Sequence, residues 1–241
     1  RLFKPDPGKI ICDVDLSGAD AQVVAWEAND HELKRAFKEN VDVHTKNGRD
    51  VFGPTWDPTA RSDRKRTKRD ELKAAVHGTN YAGGIRTIAK DLGWRGEQVD
   101  AFQRKWFSLH PGIREWHRRV ERDLQLTRKV SNRFGYRIIY FDRPDNLLPK
   151  GLAWIPQSTI AGVTSRAAVQ LSRQIPWADI LLQVHDSLVF QIPISHAGDL
   201  RAIRQAILVE VPYPDPLVIP WGLALSEKSW GDVEKRKWED V

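Results

Sequence analysis

Apolar and polar positions along this chain switch between two periods, and the switches predict its elements. Residues 9–14 are a short apolar run with β-branched residues and predict a strand. Residues 19–28 follow a helical pattern, with Ser17 placed to cap it. Short helical patterns cover 32–38 and 44–52, and 53–63, with Pro54 and Pro58 among polar residues, predicts a loop. Helical periodicity returns over 68–82 and ends at Gly83 and Gly84. Residues 97–109 predict a helix that stops before His110-Pro111. A longer helix is predicted over 113–128, with Ile113, Trp116, Val120 and Leu124 as its apolar stripe. Residues 129–141 predict a β-hairpin, and 156–171 a helix with Pro156 at its first position. Residues 180–192 are two apolar strands around His185, Asp186 and Ser187. An amphipathic segment over 196–209 and a strand over 217–225 complete the pattern. Strands at both ends of the chain with helices between them predict an α+β fold, an antiparallel sheet carrying a helical insertion.

Chemistry concentrates at three places in this layout. The strand over 9–14 delivers Asp13 and Asp15, and the second strand pair presents Asp186 at its tip. Carboxylates on strands distant in sequence can meet in one sheet and hold two divalent metals, the arrangement phosphoryl transfer needs. Within the helix over 68–82, Arg69, Lys73, His77 and Tyr81 recur every four residues. Each step of four advances about 400°, so the four share one slowly drifting face. Two cations at one end of that face suit a triphosphate, and two rings at the other suit a sugar and a base.

These segments resemble motifs A, B and C of the family A DNA polymerases, the DNA polymerase I and phage replicative group, in the right order. Asp-Leu-Ser-Gly-Ala-Asp from Asp15 resembles the family's D-Y-S-Q-I-E segment, especially its phage form with Ser-Gly after the aspartate. The run R-x3-K-x3-H-G-x2-Y from Arg69 to Tyr81 resembles the family's R-x3-K-x3-F/Y-G-x2-Y helix, and Gln-Val-His-Asp-Ser over 183–187 resembles its Q-V-H-D-E. Echoes between them (42–45, 110–116, 134–137 and 155–162) extend the resemblance over nearly the whole chain.

The resemblance implies a polymerase right-hand fold with palm over 1–52 and 129–241 and fingers over 53–128. In the family a thumb and a proofreading domain precede motif A, and neither fits into the residues ahead of Asp15, so both are expected to be absent from this chain. The chain begins at Arg1 and contains no methionine, which reads as a fragment, a tag-cleaved product or a piece of a longer polypeptide. Asp15 and Asp186, with the backbone carbonyl of Leu16, are the implied ligands of two Mg²⁺ ions, with Mn²⁺ as an alternative. Asp13 lies on the same strand face as Asp15 but reads as an outer or surface carboxylate, because the family pattern selects Asp15. Lys73 is expected to contact the triphosphate and protonate the leaving pyrophosphate, and Arg69 to hold the terminal phosphate. His77 stands at the family's Phe or Tyr position beside the incoming sugar and base, where it keeps a flat ring but adds a polar edge and a titratable charge. Tyr81 is expected to floor the pocket, and Gln157 and His185 to touch the primer terminus and minor groove. Asp20 replaces the usual Glu that blocks a ribose 2′-hydroxyl, Gln22 the usual Arg, and Ser187 the second acid of motif C. His44, in the Asp42-x-His-Thr echo, reads as structural.

Composition narrows the class and the partners. Hydrophobic content of 41% with 29% charged residues fits a soluble globular protein. No apolar run approaches the ~20 residues of a membrane span, and no partner membrane is expected. The single cysteine, Cys12, reads as a buried strand residue and fits a reducing, cytoplasmic setting, that of a host cell if the source is viral. Net charge is +6, with seven basic against three acidic residues over 61–73 and ten against three over 104–137. That excess suits a polyanion. The expected partners are primer-template DNA and dNTPs, and a separate subunit or upstream domains would supply thumb and exonuclease. Two other readings share these residues: a nucleotidyltransferase like the single-subunit RNA polymerases, and a non-catalytic nucleic-acid-binding polymerase remnant.

Overall fold

Strand β1 (Lys9–Leu16) is the centre of a five-stranded sheet. The computed structural model describes residues 2–61, 66–141 and 147–239, and Arg64 and Lys65 of the expected basic segment lie outside them. Backbone contacts group the chain into two compact units, Arg1–Asp20 with Gln157–Val241, and Ala21–Pro156. These compact units differ in their boundaries from the palm and fingers segments at 1–52, 53–128 and 129–241 that the resemblance implies.

The first unit carries the sheet. β1 pairs antiparallel with β5 (Ser187–Pro193) on one side and β8 (Trp221–Ser226) on the other. β4 (Asp179–Val184) extends it beyond β5, and β9 (Glu234–Arg236) beyond β8, both antiparallel. Period two gives β1 two unlike faces. Cys12, Val14 and Leu16 are buried, and Cys12 and Val14 oppose buried Phe190 and Leu188. Cys12 is a buried strand residue, as expected, and burial pushes its thiol up to about 12, which keeps it protonated. The other face carries Asp13 and Asp15. The expected final strand over 217–225 is two pieces. Leu217–Val218 (β7) pairs with Glu210–Val211 (β6), and Pro220, which has no N–H to give a ladder, separates it from β8. The amphipathic segment over 196–209 begins as a 3₁₀ turn, Ile194–Asp199, before α9 (Leu200–Ala206).

Helix α8 (Leu147–Gln174) runs across the unit boundary and corrects one expectation, because Pro156 lies inside it and not at its start. Leu147, Leu152 and Ile155 are buried at 4% exposure or less, so the turns ahead of Pro156 are held by burial. That burial outweighs the hydrogen bond the proline cannot make.

The second unit is helical: α1 (Ala19–Glu27, entered from the first unit), α2 (His31–Lys38), α3 (Val43–Phe52), α4 (Lys68–Asn80), α5 (Ile85–Leu92), α6 (Gly96–Leu109) and α7 (Pro111–Thr127). Asp30 caps α2, accepting from Leu33 N–H at 2.9 Å, and its other oxygen meets His110 Nδ1 at 2.8 Å. That pair fixes the α6–α7 junction, where Pro111 starts α7. The α7 stripe of Ile113, Trp116, Val120 and Leu124 is buried as expected. Helix α5 was not foreseen; it is a short helix ended by Gly93 in the left-handed region (φ 72°). The hairpin expected over 129–141 forms as β2 (Lys129–Ser131) and β3 (Arg137–Ile139). Asn132 closes its turn, its Oδ1 accepting from the N–H groups of Phe134 and Tyr136 at 3.0 and 3.1 Å.

Candidate active site

Register brings the backbone of Asp15 and that of Asp186 close together in the first unit. Asp15, near the end of β1, lies opposite Ser187, the first residue of β5. Val184 pairs with Ser187, so only His185 and Asp186 form the turn between β4 and β5. The Leu16 N–H donates to the Asp186 carbonyl at 3.2 Å, which ties the turn to the end of β1. Asp186 is thus one residue from the direct partner of Asp15, and paired Cα atoms in such a ladder are roughly 4.5–5.5 Å apart. His185 takes the left-handed backbone (φ 54°), the positive φ that a two-residue hairpin requires at its first position. Held there, it is exposed, as is Asp15, while Asp186 is half-buried.

The Asp15 residue is solvent-exposed, and its β8 neighbour carries no side chain. Gly222 is its partner on β8, and a Cβ built at Gly222 would come no closer than 3.6 Å to Asp15 O and 3.8 Å to Ser17 Oγ. Among the described residues no group of three or more His, Cys, Asp or Glu forms a protein-only cage for a metal ion. Two carboxylates in an open setting, with hard oxygen donors, fit Mg²⁺, which keeps several waters and takes one or two carboxylates plus substrate phosphate. Asp15 and Asp186, with the Leu16 carbonyl, are the residues that would hold it. Asp20 lies in the first turn of α1, where a helix N-terminus favours negative charge. Gln157 is exposed on α8.

In the second unit, α4 presents Arg69, Lys73 and His77 away from the side that buries Leu72, Ala75, Val76 and Thr79. Its start is set by Thr67, whose hydroxyl accepts from Asp70 N–H at 3.1 Å. Its end is clamped by three contacts. Trp106 Nε1 donates to Asn80 Oδ1 at 2.9 Å, His117 Nε2 donates to the Asn80 carbonyl at 2.7 Å, and Gln103 Nε2 donates to the Gly83 carbonyl at 3.0 Å. Gly83 is required sterically, since a Cβ there would fall 2.7 Å from the Gly78 carbonyl oxygen. Tyr81, just past the helix, is buried, and His77 meets its ring edge-on at 4.6 Å between centroids.

Two residues join this face that the sequence did not assign to it. Asp42, the cap of α3, accepts from Arg69 Nε and Nη2 at 3.0 and 2.9 Å. The Arg69 guanidinium, opposed by partial burial and aided by Thr45, holds the Asp42 carboxyl well below the usual carboxylate range. His44 follows on the first turn of α3. Burial first, then the cations of Arg69 and Lys73, push its imidazole down to about 4. Its Nδ1 is buried without a protein partner. The Asp42-x-His echo was visible in the sequence, but its partner lies 27 residues away and no local spacing announces it.

The sequence profile of DNA polymerase family A matches residues 1–230. The chain belongs to DNA polymerase family A. It is 25% identical over 234 residues to the DNA polymerase of Mycobacterium phage D29, covering 97% of this chain and 37% of that protein. Against the thermostable DNA polymerase I of Thermus filiformis it is 27% identical over 223 residues, covering 89% of this chain and 26% of that one. The chain therefore spans between about a quarter and somewhat over a third of the length of these family A relatives. A solved structure described as the POL domain of Pol1 from M. smegmatis in complex with DNA primer-template and dNTP has the same fold. It superposes with a TM-score of 0.82 at 20% identity, over 96% of this chain and 41% of that one. The α+β class and antiparallel sheet expected from the pattern are those of this family A fold. Among the described residues no helix is long and apolar enough to cross a membrane. Of the departures from the family pattern, Gln22 and Ser187 are buried and His77 is exposed.

Proposed function

We propose that this chain is the catalytic core of a template-directed DNA polymerase, adding deoxynucleotides to a primer 3′ end by two-metal phosphoryl transfer. The observation that carries the reading is the register of β1 against β5, which sets Asp15 opposite Ser187 and beside the Asp186 turn. Family membership supports the same reaction. When bound, two Mg²⁺ ions supply activation of the primer hydroxyl and charge neutralisation at the leaving pyrophosphate.

This chain's residues do the rest. Asp15, Asp186 and the Leu16 carbonyl hold the metals. Arg69 binds the terminal phosphate through the planar fork that now grips Asp42, and a phosphate offers that fork the same pair of acceptor oxygens. Lys73 contacts the triphosphate and delivers a proton to the leaving pyrophosphate. His44, neutral at pH 7, offers a ring N–H without adding a third cation. His77 and Tyr81 shape the sugar and base pocket, and Asp20, a methylene shorter than the family's Glu, gives a looser block against a ribose 2′-hydroxyl. Gln157 and His185 contact the primer terminus and minor groove. Segments 1–52 and 129–241 act as palm and 53–128 as fingers. Primer-template DNA and dNTPs are the partners, with thumb and exonuclease functions supplied by other domains or a separate subunit, in the cytoplasm.

Primer extension tests this directly. Mg²⁺-dependent addition of the templated nucleotide is expected from the wild-type chain. Addition of ribonucleotides in preference to deoxynucleotides would favour an RNA polymerase-like enzyme, and DNA binding with no addition at all would favour a non-catalytic remnant.

A further inference from the structure

One carboxylate beside the proposed metal site has no assigned task. Asp13 precedes Asp15 by two residues on β1, so both side chains project from the same strand face, roughly 7 Å apart along it. Across from Asp13 lie Val189 on β5 and Ala224 on β8, neither of which offers a side-chain donor. Its Oδ2 accepts a hydrogen bond from Trp230 Nε1 at 2.7 Å. Trp230 is itself tied down. Its backbone N–H donates to the Phe3 carbonyl at 2.9 Å, and the Phe3 ring meets the indole edge-on at 5.8 Å. The second oxygen, Oδ1, is closed to solvent and has no hydrogen-bond partner.

A carboxylate oxygen shut away from water without a donor is costly, and such an atom in a folded protein calls for an explanation. A structural lock between β1 and the C-terminal segment would need only a neutral acceptor for the indole, and asparagine would supply one without the charge. Ser187 adds a second observation. It stands where the motif C pattern has a second acid, so this chain has one negative charge fewer on that side of Asp15.

We propose that Asp13 is a positioning residue of the metal site, a third negative charge held by Trp230 that raises the affinity of the Asp15–Asp186 pair for divalent cations. The indole fixes the carboxylate and shields one side of it from water. Its charge then acts on the neighbouring cation from roughly 7 Å, and the burial of Oδ1 limits how much water screens it on the protein side. Asp13 does not coordinate the metal in this scheme. It compensates on β1 for the acid absent from β5. The inference rests on the metal role proposed for Asp15, and its test separates the two.

The test is Mn²⁺ binding to the whole 241-residue chain, followed by electron paramagnetic resonance of free Mn²⁺, with thermal melting of each variant alongside. Asp13→Asn keeps an acceptor for Trp230 and removes the charge; it is expected to weaken Mn²⁺ binding about five- to tenfold with little change in melting temperature. Asp13→Ser, a second neutral variant should the first fold poorly, carries the same expectation. Trp230→Phe keeps the charge and removes the indole donor, and is expected to lower the melting temperature more than it lowers Mn²⁺ affinity. Unchanged Mn²⁺ affinity in the neutral Asp13 variants would overturn the inference. So would a loss of affinity that is equal in Trp230→Phe and Asp13→Asn, because the pair would then act only as a lock. Asp15→Asn is the control for the underlying reading. If it binds Mn²⁺ as the wild type does, the metal role of Asp15 fails, whatever Asp13 does.

Discussion

Arg69 and Asp42 form a two-pronged ion pair, Nε and Nη2 of the arginine at 3.0 and 2.9 Å from the two carboxylate oxygens. The arginine fork is therefore already arranged around two anionic oxygens, the geometry a phosphate presents. The same carboxylate caps α3, accepting from His44 N–H at 3.2 Å and from the Thr45 hydroxyl at 2.7 Å. Asp42 thus both orients Arg69 and competes with any phosphate for it.

Separating the two roles of Asp42 gives the first prediction. Asp42→Asn keeps a capping oxygen and loses the charge, so its stability should stay within about 0.5 kcal/mol of wild type, since the pair is partly exposed. Asp42→Ala loses the cap as well and should cost about 1 kcal/mol. Both should bind triphosphate a few-fold more tightly, because Arg69 no longer has an internal anion. Urea melts and nucleotide titrations check this, and weaker triphosphate binding in both variants would mean that orientation of Arg69 outweighs competition.

Arg69→Ala and Lys73→Ala should harm nucleotide use far more than primer-template binding. Loss of a charged contact to the reacting phosphates is expected to cost about 2–4 kcal/mol in transition-state stabilisation. Single-turnover incorporation at varied dNTP, set beside DNA affinity from fluorescence anisotropy, decides the matter. Equal losses in both would place these cations on the duplex.

His44 should give the chain an acid-side stability slope. Its folded pKa, about 4, lies below the ordinary histidine value near 6.5. Between those values the unfolded chain binds the proton and the folded chain does not, so stability falls as pH drops from about 6.5 toward 4. Asp42 extends the trend. Its folded carboxyl lies below the ordinary value, so the stability it adds is present above about pH 4 and is lost as pH falls further. Melting temperature against pH should therefore slope less over pH 4–6.5 in His44→Gln than in wild type. An unchanged slope would assign the acid sensitivity elsewhere.

His77 is exposed and edge-on to Tyr81, with a polar ring where the family pattern has an apolar one or a phenol. His77→Phe and His77→Tyr should shift acceptance of dideoxynucleotides relative to deoxynucleotides. Competition assays that found the same ratio for all three proteins would reduce His77 to a packing residue.

The strongest local signals were legible in the sequence. The runs around Asp15 and Asp186 are strands because they are short, apolar and β-branched, and the α7 stripe of Ile113, Trp116, Val120 and Leu124 repeats at helical spacing. Pro156 misled because a local rule puts proline at a helix start, and only the burial of Leu147, Leu152 and Ile155 reveals the turns before it. Helix α5 escaped notice because it is short and glycines bound it closely. The partners that tune the candidate site lie beyond any sequence window. Asp42 reaches Arg69 across 27 residues, and Trp230 reaches Asp13 across 217. Contacts of that range come from tertiary packing, which periodicity does not encode.

Single-nucleotide primer extension by wild type, Asp15→Asn and Asp186→Asn under Mg²⁺ tests the central claim most directly, with DNA binding measured in parallel. Wild type should add the templated deoxynucleotide, and each variant should lose nearly all addition while binding primer-template as before. Metal-dependent extension that survives in either variant would contradict the assignment of Asp15 and Asp186 as the metal-holding pair.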